Sequence, residues 1–304
     1  MKVGVLAPET SWHFADLKRA CASSDVETEL ISVDFTDLAA AVGTGDDEQF
    51  FDGSKSVDCL DALIVRTMPS GSLQQVIFRM DVLHRMAAAG VCVINPPRSV
   101  EIAIDKYLSL SLMAAAGIPV PQFKVCQTVE QGLKAFAQLG SDVVLKPIFG
   151  SMGKNIHRIQ KLDHAKTLMR DFVQRGEVLY LQKFIDHGGN DIRILVVGSE
   201  TFAMRRVNED GGWLTNIARG GIAQPHEPQL QEVELARSAA AANHCRIAGV
   251  DMVYQRETQK RFVLEVNASP GWEAIQKVSA RNVAAEILRF AQSTSQLNDQ
   301  PNIG

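Results

Sequence analysis

The sequence contains no apolar run as long as the roughly 18 residues that a membrane-spanning helix requires. Its first residues, MKVGVLAPET, do not have the shape of a signal peptide, because the apolar stretch ends after a few positions. The five cysteines are scattered and form no C-x-x-C pair, which predicts reduced thiols. The net charge of −4 gives no general reason to expect a nucleic-acid partner. Together these absences predict a cytoplasmic protein that binds neither membranes nor nucleic acid.

Several motifs of nucleotide binding and covalent catalysis are also missing. The segment after the first predicted strand reads APETSW, which lacks the G-x-G-x-x-G fingerprint of dinucleotide-binding folds. The G-x-x-x-x-G-K-[ST] spacing of a Walker A loop is absent as well. No Cys–His or Ser–His arrangement suggests a nucleophile that would form a covalent enzyme intermediate.

What the sequence does contain is an alternation of strand and helix patterns over its first third. Alternation of this kind predicts a parallel, Rossmann-like sheet. Gly90 suits the C-cap of the second helix. We predict strands at 2–7, 29–34, 61–66 and 91–95, helices at 11–22 and 72–90, and a Gly- and Asp-rich surface loop at 41–56.

The length of 304 residues favours two or three domains. The segment NPPRS at 95–99 punctuates the chain and marks the first boundary. The predicted organisation is a Rossmann-like N-terminal domain (1–97), a small central α+β domain (98–184), a C-terminal domain (185–292) and a flexible polar tail (293–304).

Two neighbouring strands carry oxygen-bearing side chains that suit a metal ion. In FVLEVN, Glu265 and Asn267 are two residues apart and therefore project from the same face of a strand. Asp251 lies on the preceding strand pattern, GVDMVY, and a hairpin would bring it beside Glu265. Two carboxylates and an amide oxygen form a set suited to Mg²⁺. The alternative is that these are solvated edge residues.

Two lysines are candidates for phosphate contacts. Lys146 ends the buried-type strand DVVLKPI and is followed by the glycine loop 150–153 (Gly150, Ser151, Met152, Gly153), whose backbone N–H groups can face an anion. Lys106 lies at the start of the helix predicted at 105–116. A plain turn and a solvated helix-surface lysine are the alternatives.

Four arginines point to a carboxylate-bearing substrate, because a guanidinium binds carboxylate or phosphate through paired hydrogen bonds. The alternative is that the arginines are surface charges on strands. On TFAMRRV, Arg205 and Arg206 must face opposite ways, and this alternative suits Arg206 better than the other three arginines. Arg193 lies on the adjacent predicted strand, and Arg219 lies in a glycine-rich loop.

Eight short motifs occur in an order that is more specific than any one of them. They are D-K at 105–106, V-L-K-P at 144–147, G-S-M-G at 150–153, Q-K-F at 182–184, D-I-R-I-L-V-V-G at 191–198, T-N-I-A-R-G-G at 215–221, G-V-D at 249–251 and E-V-N-A-S-P-G at 265–271. In this order the chain resembles the ATP-grasp superfamily and, within it, the RimK-like α-L-glutamate ligases. The resemblance implies an ATP-grasp fold of α/β and α+β type. Its parts would be a Rossmann-like N-terminal domain, a central lid domain and a C-terminal ATP- and Mg²⁺-binding domain.

The resemblance also implies a role for each matched position. The hinge residue that is commonly Glu in this family is Lys183 here, which leaves nucleotide preference open. The loop 150–153 resembles a lid that closes over the reaction. The implied roles are ATP-phosphate contacts for Lys106 and Lys146, adenine contacts at the hinge Gln182, Lys183 and Phe184 through the backbone of the last two, a ribose contact for Asp191, γ-phosphate and acyl-phosphate contacts for Asn216 and Arg219, a carboxylate contact for Arg193, and metal ligation by Asp251, Glu265 and Asn267.

The implied reaction is an ADP-forming ligation that uses ATP and Mg²⁺, with Mn²⁺ as an alternative ion. A carboxylate would be activated as an acyl phosphate and joined to an amine, that of L-glutamate. Arg66, at a strand end in the segment 65–73, is predicted to bind substrate, since ligands often bind at strand ends in open α/β sheets. Arg205 is predicted to bind substrate as one of the arginines suited to a carboxylate.

The acceptor remains a choice among alternatives. The segment 65–73 resembles tetrahydromethanopterin-linked glutamate ligases more than the ribosomal-protein glutamate ligase, which favours a small-molecule acceptor. The alternatives are a ribosomal or carrier-protein C-terminus, a dipeptide ligase, and an ATP-binding regulatory protein without ligase activity. A homo-oligomer is left open.

Overall fold

A parallel sheet forms the N-terminal part of the computed structural model, which describes residues 1–22, 26–42, 48–53, 55–150 and 155–298. Its elements are β1 (Lys2–Val5), α1 (Trp12–Cys21), β2 (Glu29–Ser32), β3 (Leu38–Val42), β4 (Glu48–Asp52), β5 (Lys55–Ser56), β6 (Ala62–Ile64), α2 (Leu73–Ala88) and β7 (Cys92–Ile94). The strand order is β2-β1-β6-β7, with all three pairings parallel, as the alternating pattern predicts. Ser72 and Gln75 form a capping box at the start of α2, and Gly90 follows its end with a φ of 101°.

The predicted surface loop at 41–56 is wrong for most of the residues that the structure describes there. β3, β4 and β5 form a small antiparallel sheet, and residues 43–47 and 54 lie outside the described part of the chain. Phe50 provides the reason, because its side chain is buried in the core beside Val33 and Val57. The Gly and Asp residues around Phe50 are typical of a loop, so the composition of the segment does not indicate that Phe50 is a core residue.

An antiparallel sheet covered by helices on one face forms the central part. Its elements are α3 (Pro97–Ile104), α4 (Lys106–Ala115), β8 (Phe123–Cys126), α5 (Val129–Gln138), β9 (Val143–Lys146), β10 (His157–Ile159), α6 (Leu162–Gln174) and β11 (Leu179–Lys183). The strand order is β10-β9-β11-β8. Leu145 and Leu181 pack against α5 and α6 through Phe136 and Phe172. Because side chains alternate along a strand, residues of opposite parity project from the other face.

A second antiparallel sheet forms the C-terminal part. Its elements are β12 (Asn190–Val197), β13 (Glu200–Val207), a 3₁₀ turn (Ile217–Arg219), β14 (Ile222–Pro225), α7 (Leu230–Ala242), β15 (Ile247–Tyr254), β16 (Arg261–Asn267), α8 (Glu273–Val278) and α9 (Val283–Asn298). The strand order is β14-β13-β12-β15-β16. Ile194 and Val250 on one face pack beside Ala236 and Ala240 of α7. Leu195 on the other face packs beside Ile287 of α9.

The Asn95 side chain ties the N-terminal part to the C-terminal sheet. Its Nδ2 donates to the carbonyls of Ile247 and Ala268 at 2.6 and 2.5 Å. Its Oδ1 accepts from the backbone N–H groups of Arg246 and Ile247 at 2.6 and 2.8 Å. This buried amide therefore holds the end of β7 against the segment that follows β16. The domain boundaries themselves stay predictions.

Helix α9 packs against the N-terminal part of the chain as well as against the C-terminal sheet. Its residues Leu288 and Ala291 are buried with Val5 and Leu17. The helix runs to Asn298, so the prediction of a flexible tail from residue 293 is wrong up to that point, and residues 299–304 lie outside the described part. Packing of the last turns against the first strand region explains the extension, as Gln292 donates to Thr28 Oγ1 at 2.9 Å. None of the helices in the described ranges is both long enough and apolar enough to cross a membrane.

Candidate active site

Two buried lysines, Lys106 and Lys146, lie near each other at the central sheet, and their contacts with phosphate stay a prediction. Lys146 ends β9, and its Nζ donates to Gln182 Oε1 at 2.9 Å and lies 5.3 Å from the centre of the Tyr180 ring. Lys106 begins α4, and its Nζ donates to the carbonyl of Gly150 at 2.7 Å. Gly150 has a φ of 143°, which favours glycine. The remaining predicted loop residues, Ser151, Met152 and Gly153, lie outside the described residues.

The environment of Lys146 disfavours its positive charge. Burial lowers the pKa of Lys146 to about 8, and the nearby charge of Lys106 acts in the same direction. Glu265 and Asp251 act in the opposite direction, which brings both carboxylates into the electrostatic range of the lysine. An anion placed between the two lysines would offset their repulsion. Tyr180, which the sequence analysis missed, lines this site and pairs in register with Lys146.

The three predicted metal ligands lie side by side at the end of the C-terminal sheet. Asp251 pairs in register with Glu265, and the register shifts immediately afterwards, so Val263 rather than Leu264 faces Met252. Leu264 is therefore only half-buried. With its amide oriented to satisfy both neighbours, Asn267 donates to Glu265 Oε1 at 3.1 Å and accepts from Arg193 Nη2 at 3.2 Å.

The donor set fits Mg²⁺, although arginines engage two of its members, Asp251 and Asn267. The three side chains offer only oxygen ligands, and Mg²⁺ is commonly held by one or two carboxylates together with substrate phosphates. Asp251 Oδ2 accepts from Arg193 at 2.8 Å and from Arg206 at 2.9 Å, whereas Oδ1 accepts from Arg193 alone, at 2.6 Å, among the described residues. Among the residues that the structure describes, no three His, Cys, Asp or Glu side chains are grouped closely enough to hold a metal ion by themselves.

A buried ladder of charges runs along this face of the sheet. Arg206 donates to both carboxylate oxygens of Asp191 at 2.7 and 2.6 Å, and Thr215 Oγ1 also donates to Asp191, at 2.6 Å. Burial alone would raise the pKa of Asp251, but Arg193 and Arg206 outweigh it and hold that pKa below its ordinary value. The ladder therefore links Thr215, in the loop after β13, to the metal-binding candidate Asp251.

The surface interpretation of Arg206 is wrong. Arg206 is buried at 3% exposure, whereas Arg205 is exposed on the opposite face and pairs with Gln224 on β14. The substrate contact of Arg205 stays a prediction. Asp191 has both oxygens engaged by Arg206 and Thr215, and its contact with ribose also stays a prediction.

The loop after β13 brings Asn216 and Arg219 next to the ladder. Asn216 follows the anchored Thr215, and its backbone carbonyl accepts from the backbone N–H groups of Arg219 and Gly221 at 2.8 and 3.1 Å. A Cβ at Gly221 would lie 2.0 Å from the Thr215 carbonyl oxygen, so only glycine allows this close approach. The Arg219 side chain is exposed.

The hinge at Gln182–Phe184 differs from its prediction in one respect. The backbone N–H groups of Lys183 and Phe184 already donate to the carbonyls of Gln122 and Asp142, at 2.8 and 3.0 Å. Neither N–H is therefore available to a nucleotide, and a backbone contact at these residues would have to use carbonyl groups. The Lys183 side chain is exposed.

Arg66 lies beyond the end of β6, at the junction with the segment after β16. Its Nη1 donates to the Ser269 carbonyl at 3.3 Å. His13, a residue that the sequence analysis missed, lies 3.1 Å from Arg66 Nη2 through its Nε2. Burial lowers the pKa of Arg66 to about 10, and the charge of Arg193 acts in the same direction.

This combination of sheets and side chains defines a class of protein: an ATP-grasp ligase, which is an ADP-forming enzyme. The comparison with known proteins makes the assignment more particular. A family model described as a RimK-like ATP-grasp domain matches residues 103–291, and the chain belongs to that family.

Relatives with assigned names agree with this membership. The chain is similar to the tetrahydromethanopterin:alpha-L-glutamate ligase of Methanosarcina acetivorans, at 34% identity over 77% of this chain and 80% of that protein. It is similar to a probable alpha-L-glutamate ligase of Haemophilus influenzae, at 33% identity over 72% of each chain. Among solved structures, the ATP-grasp ligase PsnB complexed with minimal precursor has a TM-score of 0.73 at 20% identity, covering 96% of this chain and 98% of that one. At that identity the similarity confirms the fold alone.

Proposed function

We propose that this ligase joins L-glutamate to the carboxylate of a small-molecule acceptor of tetrahydromethanopterin type, through an acyl phosphate. The observation that carries the proposal is the convergence of Lys106 and Lys146 with Asp251 and Glu265 between two sheets. The names of the relatives support glutamate as the amine and a pterin-type molecule as the acceptor.

The nucleotide would lie with its phosphates at the two lysines. Lys146 Nζ lies over the Tyr180 ring and donates to Gln182 Oε1, so a phosphate oxygen could replace the Gln182 amide as its partner. Glu265, Asn267 and Asp251 would hold Mg²⁺, or Mn²⁺ as the alternative ion. When bound, the ion would neutralise charge on the phosphate oxygens during phosphoryl transfer.

In the first step the acceptor carboxylate oxygen forms a bond to the γ-phosphorus of ATP. The bond from that phosphorus to the β–γ bridging oxygen breaks, and ADP leaves with the electron pair. Lys146 and Lys106 would stabilise the transferring group by their charges. Asn216 and Arg219 are the residues that we assign to the acyl phosphate, because Thr215 anchors their loop to the ladder.

In the second step the neutral amine of L-glutamate attacks the acyl carbon. The C–O bond to phosphate breaks, inorganic phosphate leaves, and the nitrogen loses a proton to give the amide. Arg193 is assigned to the substrate carboxylate, since Nε and Nη2 engage Asp251 and fix its orientation.

The test is ADP release from ATP with L-glutamate and a panel of carboxylate acceptors, followed by the mass of the product. The panel includes reduced pterins with a terminal carboxylate, peptides and free amino acids. We expect ADP release and the addition of glutamate with a pterin acceptor. Glutamate addition to a peptide instead would move the acceptor to the protein class, and ADP release without glutamate incorporation would contradict the proposal.

Matched control variants distinguish the loss of a site residue from the general effect of removing a charge. Lys146→Ala and Glu265→Ala should abolish ADP release without unfolding the protein. The controls are Lys134→Ala and Glu130→Ala, which remove an exposed ion pair on α5. Full activity in either site variant would contradict the assignment of these residues.

A further inference from the structure

Arg66 is held at a junction where three parts of the chain meet. Its guanidinium carbon lies 5.8 Å from the centre of the Trp272 ring, which is 2% exposed. Trp272 Nε1 in turn donates to Asp16 Oδ2 on α1 at 2.9 Å. A Cβ at Gly271 would lie 2.9 Å from Arg66 Nη2, so this glycine lets the guanidinium approach the backbone. The position of Arg66 is therefore defined by packing on several sides.

The hydrogen bonding of Arg66 is incomplete in a way that suggests an anion. In the part of the chain that the structure describes, Arg66 contacts a carbonyl and an imidazole but no carboxylate. Its buried Nε has no hydrogen-bond partner there. An unpaired buried donor of a charged group is costly, so such a donor suggests a missing acceptor.

Arg193 contributes a second guanidinium to the same place. It uses Nε and Nη2 on Asp251, and its Nη1 makes no hydrogen bond to any described residue. A Cβ at Gly249 would lie 3.0 Å from Pro270 Cβ and 3.8 Å from Arg193 Nε, so Arg193 lies near Pro270. Pro270 lies between Ser269 and Gly271, both of which approach Arg66. The two arginines therefore lie near the same short segment, 269–271, where they form a suitable place for an anionic group.

His13 is suited to accept a hydrogen bond from Arg66 as a neutral imidazole. A guanidinium only donates hydrogen bonds, so the facing Nε2 of His13 must accept. The Trp272 backbone N–H points to the same Nε2 at 3.4 Å. Burial and the charge of Arg66 lower the pKa of His13 to about 4, outweighing the opposite effect of Glu273. His13 is therefore neutral at physiological pH and keeps its lone pair directed at these donors.

We propose that Arg66 and Arg193 together form a binding subsite for a substrate carboxylate, and that His13 is the positioning residue that orients the Arg66 guanidinium. This inference rests on the proposed ligase function. The carboxylate belongs either to L-glutamate or to the acceptor, and both sources share the chemistry that two arginines recognise.

A binding experiment tests the subsite without turnover. The variant Trp12→Phe/Trp213→Phe leaves Trp272, beside Arg66, as the single tryptophan in the sequence. Its fluorescence is titrated with L-glutamate, with glutarate, which has carboxylates but no amine, and with butylamine, which has no carboxylate, in the presence of Mg²⁺ and a non-hydrolysable ATP analogue. We expect saturable changes with at least one carboxylate and none with butylamine.

Variants in that background identify the residues. Arg66→Lys keeps the charge but loses the planar fork, and we expect the half-saturating carboxylate concentration to rise about tenfold to hundredfold. His13→Ala should raise it as well, and His13→Gln should restore much of the loss, because the amide oxygen can reach the position of Nε2. The controls are Arg98→Lys and His84→Ala, which alter exposed residues that contact Glu101.

Steady-state kinetics then distinguish the two sources of the carboxylate. With an acceptor that supports ADP release, a raised KM for L-glutamate and a smaller change in kcat assign the subsite to glutamate. A raised KM for the acceptor alone assigns it to the acceptor. Unchanged binding and unchanged KM values in both Arg66→Lys and His13→Ala would overturn the proposal. If no acceptor supports ADP release, the proposed function fails, while the fluorescence titration still decides on the subsite.

Discussion

Replacing Lys146 with arginine or methionine separates the phosphate contact of this residue from the cost of burying it. Its pKa of about 8, against an ordinary value of 10.5, means that the protein disfavours the charged form by about 3 kcal/mol. At pH 7 the lysine is nevertheless still mostly protonated, since this pH lies below 8. At pH 7 the folded protein therefore contains a buried positive charge that its environment disfavours and that ATP phosphates would stabilise.

The consequence for ATP binding is a specific pH dependence. If only the charged lysine binds the phosphates, the Kd for ATP should rise about tenfold between pH 7 and pH 9 in the unmodified enzyme. Lys146→Arg should not show this rise, because arginine keeps its charge throughout the range. Isothermal titration calorimetry in buffers of different ionisation enthalpy should also detect proton uptake on ATP binding near pH 8. The same pH dependence in both proteins would refute the reasoning.

The stability of the fold should change with pH in the direction opposite to the change in ATP affinity. Because the folded pKa is lower than the unfolded one, Lys146 destabilises the fold below pH 8, and this cost disappears as the pH rises from 8 to 10.5. Lys146→Met should therefore raise the free energy of unfolding by up to about 3 kcal/mol at pH 7 while abolishing ATP binding. Urea unfolding at pH 7 measures this change. A Met variant that is less stable than the unmodified protein would contradict the burial argument.

Three further substitutions test other parts of the site. Glu265→Gln should weaken the apparent Mg²⁺ affinity by at least about tenfold in ADP-release assays at varied Mg²⁺, and an unchanged half-saturation would contradict its role as a ligand. Thr215→Val removes a donor to buried Asp191 and should lower the free energy of unfolding by about 1–3 kcal/mol in urea unfolding, so an unaltered transition would argue against the ladder. Gly221→Ala places a Cβ 2.0 Å from the Thr215 carbonyl and should reduce kcat with little change in Tm, whereas full activity would show that the loop conformation is unimportant.

The pattern of the sequence predicted much of the site because strand periodicity is local. The spacing of Glu265 and Asn267 predicts a shared face, and the hairpin with Asp251 is confirmed by the register. The same periodicity predicts that Arg205 and Arg206 face opposite ways, but not which of them is buried. A signal was present, since Phe202 and Met204 have the parity of Arg206 and are large and apolar.

Other features depend on contacts between distant parts of the chain. His13 meets Arg66 and the backbone of Trp272 across 53 and 259 residues, and no local pattern encodes such contacts. The engagement of Asp191 by Thr215 likewise depends on the path of a loop. The helical extension to Asn298 could not be predicted either, because its polar sequence is stabilised by the N-terminal core.

The most direct measurement of the central claim uses an acceptor whose carboxylate oxygens carry ¹⁸O. If the carboxylate is activated as an acyl phosphate, one ¹⁸O atom must pass from the acceptor to the inorganic phosphate released on amide formation, and ADP must be the nucleotide product. Mass spectrometry of the phosphate and chromatography of the nucleotides should show both. Unlabelled phosphate, or AMP and pyrophosphate as products, would contradict the account.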